Sequence, residues 1–371
     1  MEIALGLRER GHDVSLFALR LGEFANWVES THNVACLSFD DVVRVRDKQP
    51  DRIVLMHWPA FFALQREGVT APTVFGFLGT QPPLENPPPL IPGLAFPWFA
   101  VSEAVEAQVN TISTWAESPH RVIRNWTGWT ETTARSVAPL RRIAIVSNRM
   151  TAELERQLVE ATQRAGMEVT RFGLPRNPQI VNEALLEEFD AIVSAGRSIL
   201  DAMRLGRPAL IYDIYGADGW VTPESVERCA GESFSGRMFA HRPTDEELDS
   251  WLAHPPSNDQ LAVLQAWVRE QATLQIALDH IEELFESATM PVTSWGRFGE
   301  VPVEMMIELT EVREGLAIRE RQLELLTLDR DNVLARIRTI ESVITRVRPK
   351  FLNRTLVRLA QRRLARVDEE S

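Results

Sequence analysis

Most residues whose types and spacing could do chemistry fall in one stretch, GRSILDAMRLGRPALIYDIYGADGWVTPE, residues 196–224. An apolar strand over 191–193 runs into SAGRS, and a helix is expected from near Ser198. Backbone N–H groups at such a start, with the positive end of the helix dipole, form an anion site. Gly196 would let a pyrophosphate approach the backbone closely, and Arg197 could add charge-assisted hydrogen bonds. Asp201, one turn further, is spaced to accept hydrogen bonds from ribose hydroxyls. After the next strand, Tyr215-Gly216-Ala217-Asp218-Gly219 reads as a flexible turn at the carboxyl end of a sheet, where ligands bind in open α/β folds. His57, in LMHWPA at the end of a strand over 53–56, could hydrogen-bond a hydroxyl or act as a base. Each feature also has a structural reading: a glycine turn, a carboxylate favouring a helix dipole, a histidine packed beside Trp58.

The elements that must position these residues are legible in the alternation. A helix over 2–10 ends at Gly11, suited to a left-handed C′ position. Apolar strands then recur at 14–17, 34–37, 53–56, 74–77 and 96–101. Short unalternating strands between helices predict a parallel sheet covered on both faces. A proline-rich loop interrupts at 80–93, since proline lacks a donor and fixes φ. After a linker at 125–137 the pattern restarts with a strand at 142–146, a helix at 151–165 and a strand at 168–172. The expectation is α/β, with two Rossmann-like domains at 1–130 and 138–255. A helix over 256–289 returns to the globular body.

Residues 303–348 carry a heptad seam through Met305, Leu309, Val312, Leu316, Leu323, Leu326, Val333, Ile337, Ile340, Ile344 and Val347, broken only by Arg319 and Arg330. This predicts a coiled coil and a homo-oligomer through residues 305–347, with an antiparallel fold-back as the alternative. The tail, 349–371, alternates leucines with arginines. As a basic amphipathic helix, residues 346–366 could lie on an anionic membrane surface, the other reading being a solvated helix end.

The chain has 371 residues, is 44% apolar and has a formal net charge of −12. That balance argues against a nucleic-acid binder. Its two cysteines, Cys36 and Cys229, are too far apart for a disulfide framework or structural zinc site. With no secretory signal and no long apolar run, a cytoplasmic protein, peripheral to the inner face of the membrane, is expected.

Taken together, Gly196-Arg197-Ser198, Leu200-Asp201-Ala202-Met203, Gly206-Arg207-Pro208 and Tyr212-Asp213 resemble the donor-domain segment of GT-B glycosyltransferases of the family 4 type. Gly216 to Glu224 resembles that family's glycine-rich turn ending in proline. LRERGHDV, VSEAV and RVIRN in the first domain resemble further family segments. The resemblance covers roughly residues 1–285 and implies a metal-independent hexosyltransferase. It would pass a sugar from a nucleotide-sugar, a co-substrate rather than a bound cofactor, to a glycan or lipid-linked acceptor in cell-surface polysaccharide synthesis. It implies that Asn148 and Arg149 occupy the loop that grips the donor pyrophosphate, that Asp218 and Gly219 face the sugar end, and that His57 is catalytic. Of the family's two glutamates eight positions apart, Asp201 stands at the second and Val193 at the first. The family's first strand and its glycine-rich loop are missing from the start of this sequence, so the first domain reads as N-terminally truncated. A catalytically inactive glycosyltransferase-like scaffold acting through its coiled coil is the alternative, and an epimerase on the same fold a third reading.

Overall fold

The computed structural model describes residues 1–79, 96–128, 139–174, 177, 179–239 and 241–288. The proline-rich loop, most of the linker, the heptad seam and the basic tail lie outside the described residues.

The first lobe holds β1 (Ser15–Phe17), β2 (Ala35–Leu37), β3 (Ile53–Leu55), β4 (Thr73–Phe77), β5 (Trp98–Ala100) and β6 (His120–Val122). β1 and β2 form a two-stranded parallel sheet, and β3-β4-β5-β6 a four-stranded parallel one. The helix Glu2–Glu9 serves both, with Ile3 in the cluster around Leu55 and Leu5 packed with Leu16. Every residue of β4 is buried, as expected for a strand covered on both faces. Aromatic side chains fill this core, among them Phe61, Phe75, Phe77 and Trp115, and the Trp98 indole N–H donates to the Trp115 carbonyl at 2.9 Å.

The second lobe holds β7 (Arg142–Val146), β8 (Glu168–Phe172), β9 (Ala191–Ser194), β10 (Ala209–Asp213) and β11 (Gly216–Trp220), in the order β11-β10-β9-β7-β8. All pairs are parallel except β10 with β11. The chain steps from β7 to β8 in one direction and from β9 to β10 in the other. Right-handed crossovers therefore put helices Ala152–Arg164 and Arg197–Arg204 on opposite faces.

The single helix expected over 256–289 is two, Asn258–Gln271 and Leu274–Glu286. The first buries Leu261, Leu264 and Val268 in the second lobe; the second buries Leu278, Ile281 and Phe285 in the first. One straight helix cannot lay apolar stripes on both bodies. The break falls at Ala272 and Thr273, where the Thr273 hydroxyl caps the second helix. Beside it the linker passes in the same direction: the Thr127 N–H donates to the Ala272 carbonyl at 3.0 Å, and the Leu274 N–H to the Thr127 carbonyl at 3.2 Å. The chain thus crosses between the lobes twice, side by side.

Candidate functional site

The loops after β7, β9 and β10 meet on one rim of the second lobe, because the carboxyl ends of neighbouring parallel strands lie together. The Ser194 hydroxyl, closing β9, donates to the Val146 carbonyl of β7 at 2.6 Å. The Ser147 hydroxyl accepts the N–H groups of Arg149 and Met150, each at 3.0 Å, which fixes the turn. Asn148 accepts the Leu174 N–H at 2.9 Å, so its side chain braces the neighbouring loop. Behind it, Gly173 has φ +121° and lies so near Ser147 that a Cβ would stand 2.2 Å from the Ser147 carbonyl oxygen.

This bracing projects Arg149 across the rim. Its guanidinium lies 3.6 Å from the Asp213 carboxylate at the end of β10 and 5.3 Å from the centre of the Tyr215 ring. Arg237 approaches the same ring at 3.9 Å. Arg242 donates to the carbonyls of Asp213 and Ile214. Arginines outnumber the buried carboxylate they surround, so the rim favours anions.

Beside it, helix Arg197–Arg204 begins from Gly196, whose φ of 72° and ψ of −138° suit glycine alone. The Gly196 N–H donates to the Phe234 carbonyl at 2.8 Å. The N–H groups of Arg197 and Ser198, in the first turn, have no intrahelical acceptor. The Arg197 guanidinium pairs with the Glu2 carboxylate, reaching across from the first lobe. Asp201 faces the same seam and is 5% exposed. Burial drives its carboxyl from 3.8 up to about 7; Arg197, a Thr127 hydrogen bond and Arg204 pull the other way, while Glu2 adds to the rise. One oxygen of each carboxylate, Asp201 Oδ1 and Glu2 Oε2, is buried without a hydrogen-bond partner.

The remaining candidates lie elsewhere. His57 is exposed at the carboxyl end of β3, at the N-cap position of helix Trp58–Arg66, where its side chain makes no capping hydrogen bond. Val193 is fully buried within β9, so the position is core. The segment expected as a flexible turn is strand β11, running antiparallel to β10 with a register shift between Ile211 and Tyr212. Its glycines, Gly216 at φ 147° and Gly219 at φ 77°, bend an edge strand instead of ending one. Asp218 therefore sits along that edge, its Oδ1 accepting the Phe239 N–H at 3.1 Å, with burial raising its carboxyl. Glu2, Thr127 and Arg237 complete the site without having been singled out from sequence, together with Asp213 and Tyr215, which had been given no role of their own. Asp213 and Tyr215 lay within the chemistry-bearing stretch, but Glu2 and Arg237 carry no local signal. Among the described residues, no group of three or more His, Cys, Asp or Glu is arranged to hold a metal ion, and no helix is long and apolar enough to cross a membrane.

Two α/β lobes built on mainly parallel strands, joined by a double crossing beside a strand-end rim, define a two-lobed Rossmann-like protein. Among solved structures, the chain is similar to CalG4, the calicheamicin glycosyltransferase, with 13% identity and a TM-score of 0.41 over 77% of this chain and 94% of that one. It is similar also to the glycosyltransferase SnogD from Streptomyces nogalater, with 12% identity and a TM-score of 0.39 over 76% and 94%. No family model and no curated protein matches the chain.

Proposed function

We propose that this chain is a glycosyltransferase that binds a nucleotide-sugar at the rim and transfers the sugar to a glycan or lipid-linked acceptor. The observation that carries the reading is the convergence of Arg149 and Arg237 on Tyr215, over the carboxyl ends of β7 and β10. Two guanidiniums there suit a diphosphate. Asp201 would accept from the ribose hydroxyls, and the N–H groups of Arg197 and Ser198 would meet phosphate oxygen.

In the transfer step the bond between the anomeric carbon and the diphosphate oxygen breaks as the acceptor oxygen bonds to that carbon. The leaving diphosphate gains negative charge, which Arg149 and Arg237 offset where it develops. The acceptor hydroxyl proton passes to a base, for which His57 is the candidate. The chain would act in cell-surface polysaccharide synthesis without a metal, as a hexosyltransferase, oligomerised through residues 305–347 and held at an anionic membrane by residues 346–366.

Calorimetric titration of the full chain with nucleoside diphosphates of each common base tests the binding half. At least one should bind, and Arg149→Ala and Asp201→Asn should each weaken it by about tenfold or more, equivalent to about 1.4 kcal/mol. Equal affinity in both variants would sink the site. A silent scaffold, acting through its coiled coil, is the second reading, resting on the valine that stands where the family has a carboxylate. Sugar transfer by the purified chain would exclude that reading.

A further inference from the structure

A second concavity, of about 320 Å³, opens between β11 and the turn joining helix Asp245–Ala253 to helix Asn258–Gln271. It lies away from the rim. Trp220, on its wall, pairs with Leu210 near the start of β10, whereas Gly216 pairs with Asp213 at the rim. The three residue steps from Leu210 to Asp213 span about 10 Å of strand.

Flat aromatic and proline surfaces stand beside polar groups in its lining. Trp220, Trp251, Pro255 and Pro256 supply the flat surfaces. The Trp220 indole N–H donates to the Trp251 carbonyl at 2.6 Å, tying the strand to the helix end. Gly219, at φ +77°, packs beside the Trp251 ring in a backbone conformation that favours glycine. His254 Nδ1 lies 2.9 Å from the Ser250 carbonyl, which can only accept. That contact assigns the proton to Nδ1 and leaves Nε2 as an acceptor. Gln260 accepts the Ser257 N–H through Oε1 at 3.0 Å, leaving its NH₂ group as a donor.

The lining holds no lysine or arginine, and Asp218 adds a carboxylate, one of whose oxygens is buried without a partner. A phosphate-bearing ligand is therefore disfavoured. Flat aromatic and proline surfaces with a donor, an acceptor and a carboxylate at the edge suit a ring that is apolar on its face and hydroxylated around its rim. The volume falls at the small end of ligand pockets. We propose that this cavity is a carbohydrate-binding site, holding one pyranose unit of a glycan against Trp251 with hydroxyls bonded to His254 and Gln260, separate from the strand-end rim.

Saturation-transfer NMR on the full chain tests this with a panel of free hexoses, N-acetylhexosamines and their disaccharides at millimolar concentration. At least one saccharide should bind, and Trp251→Ala and His254→Ala should each weaken it by about tenfold or more. Binding should persist in Arg149→Ala, which separates this site from the rim: a chain that binds saccharide but no nucleotide overturns only the transferase reading. No saccharide bound by the native chain, or binding undiminished in the variants, overturns the proposal. Should thermal melting show that Trp251→Ala has lost its fold, His254→Ala decides, because that side chain is exposed and outside the core.

Discussion

Arg149, 41% exposed, holds its guanidinium 3.6 Å from Asp213, whose side chain is 2% exposed. The pair ties the loop after β7 to the end of β10, passing over β9 between them, so the rim is cross-braced by a charge contact.

Arg149→Ala removes the cation beside a buried carboxylate. Asp213 keeps its bond from the Ile214 N–H at 2.7 Å but loses the arginine's compensation. The expected cost is about 1–3 kcal/mol in urea denaturation, with Arg149→Lys losing less. Unchanged stability in Arg149→Ala would show that the brace carries no energy.

Asp201 sets a pH dependence. Its folded-state carboxyl binds a proton more tightly than the unfolded one, being raised from 3.8 to about 7. The folded chain is therefore favoured at low pH, and this contribution is lost as pH rises from about 4 to about 7, a change on the order of 4 kcal/mol. Asp201→Asn should flatten that slope and leave the chain more stable than the native one at about pH 8. Parallel melting curves of the two proteins across that range would count against a buried, protonated Asp201.

Ligand binding should show the opposite trend in the same group. Ribose hydroxyls donate to an ionised carboxylate, so nucleotide affinity should rise between about pH 6 and pH 8 in the native chain and stay level in Asp201→Asn. Titrations at the two pH values read this directly.

Glu2→Gln takes a negative charge from beside Asp201 and releases Arg197 from its pair. Both changes favour the ionised Asp201. The Asp201 midpoint, followed by carboxyl NMR, should move downward, while stability should change by no more than about 1 kcal/mol because Arg197 is partly exposed. A midpoint that stays in place would mean that Glu2 and Asp201 do not sense one another.

Gly236→Ala should displace Arg237. Gly236 has φ +81°, and a Cβ would stand 2.5 Å from the Gly216 carbonyl oxygen. Strain and clash together should cost about 1–3 kcal/mol and weaken nucleotide binding through the loss of the Arg237–Tyr215 contact. Full nucleotide affinity in this variant would remove Arg237 from the site.

The sequence alone determined the alternation of the second lobe. Strands at 142–146 and 168–172 were read to the residue: the first is an apolar run ended by the polar Ser147-Asn148-Arg149, and the second lies between Gly166 and Gly173. Gly11, Gly166 and Gly206, all with positive φ, marked helix ends for the same local reason. The anion-favouring rim was half legible: Arg149, Arg197 and Asp201 could be found from their place after a strand or within a helix start.

Tertiary structure decided the rest, where position depended on partners far along the chain. Gly216 and Gly219 read as a turn because glycine signals one, yet pairing with β10 made them an edge strand. Residues 258–286 read as one helix because both halves are apolar and periodic; two lobes to cover forced the break at Ala272 and Thr273. Glu2 joined the site from 195 residues away, and it is burial at the seam between the lobes that holds the Asp201 proton. Local periodicity is written in neighbouring residues, whereas desolvation and charge pairing exist only once distant segments have packed together.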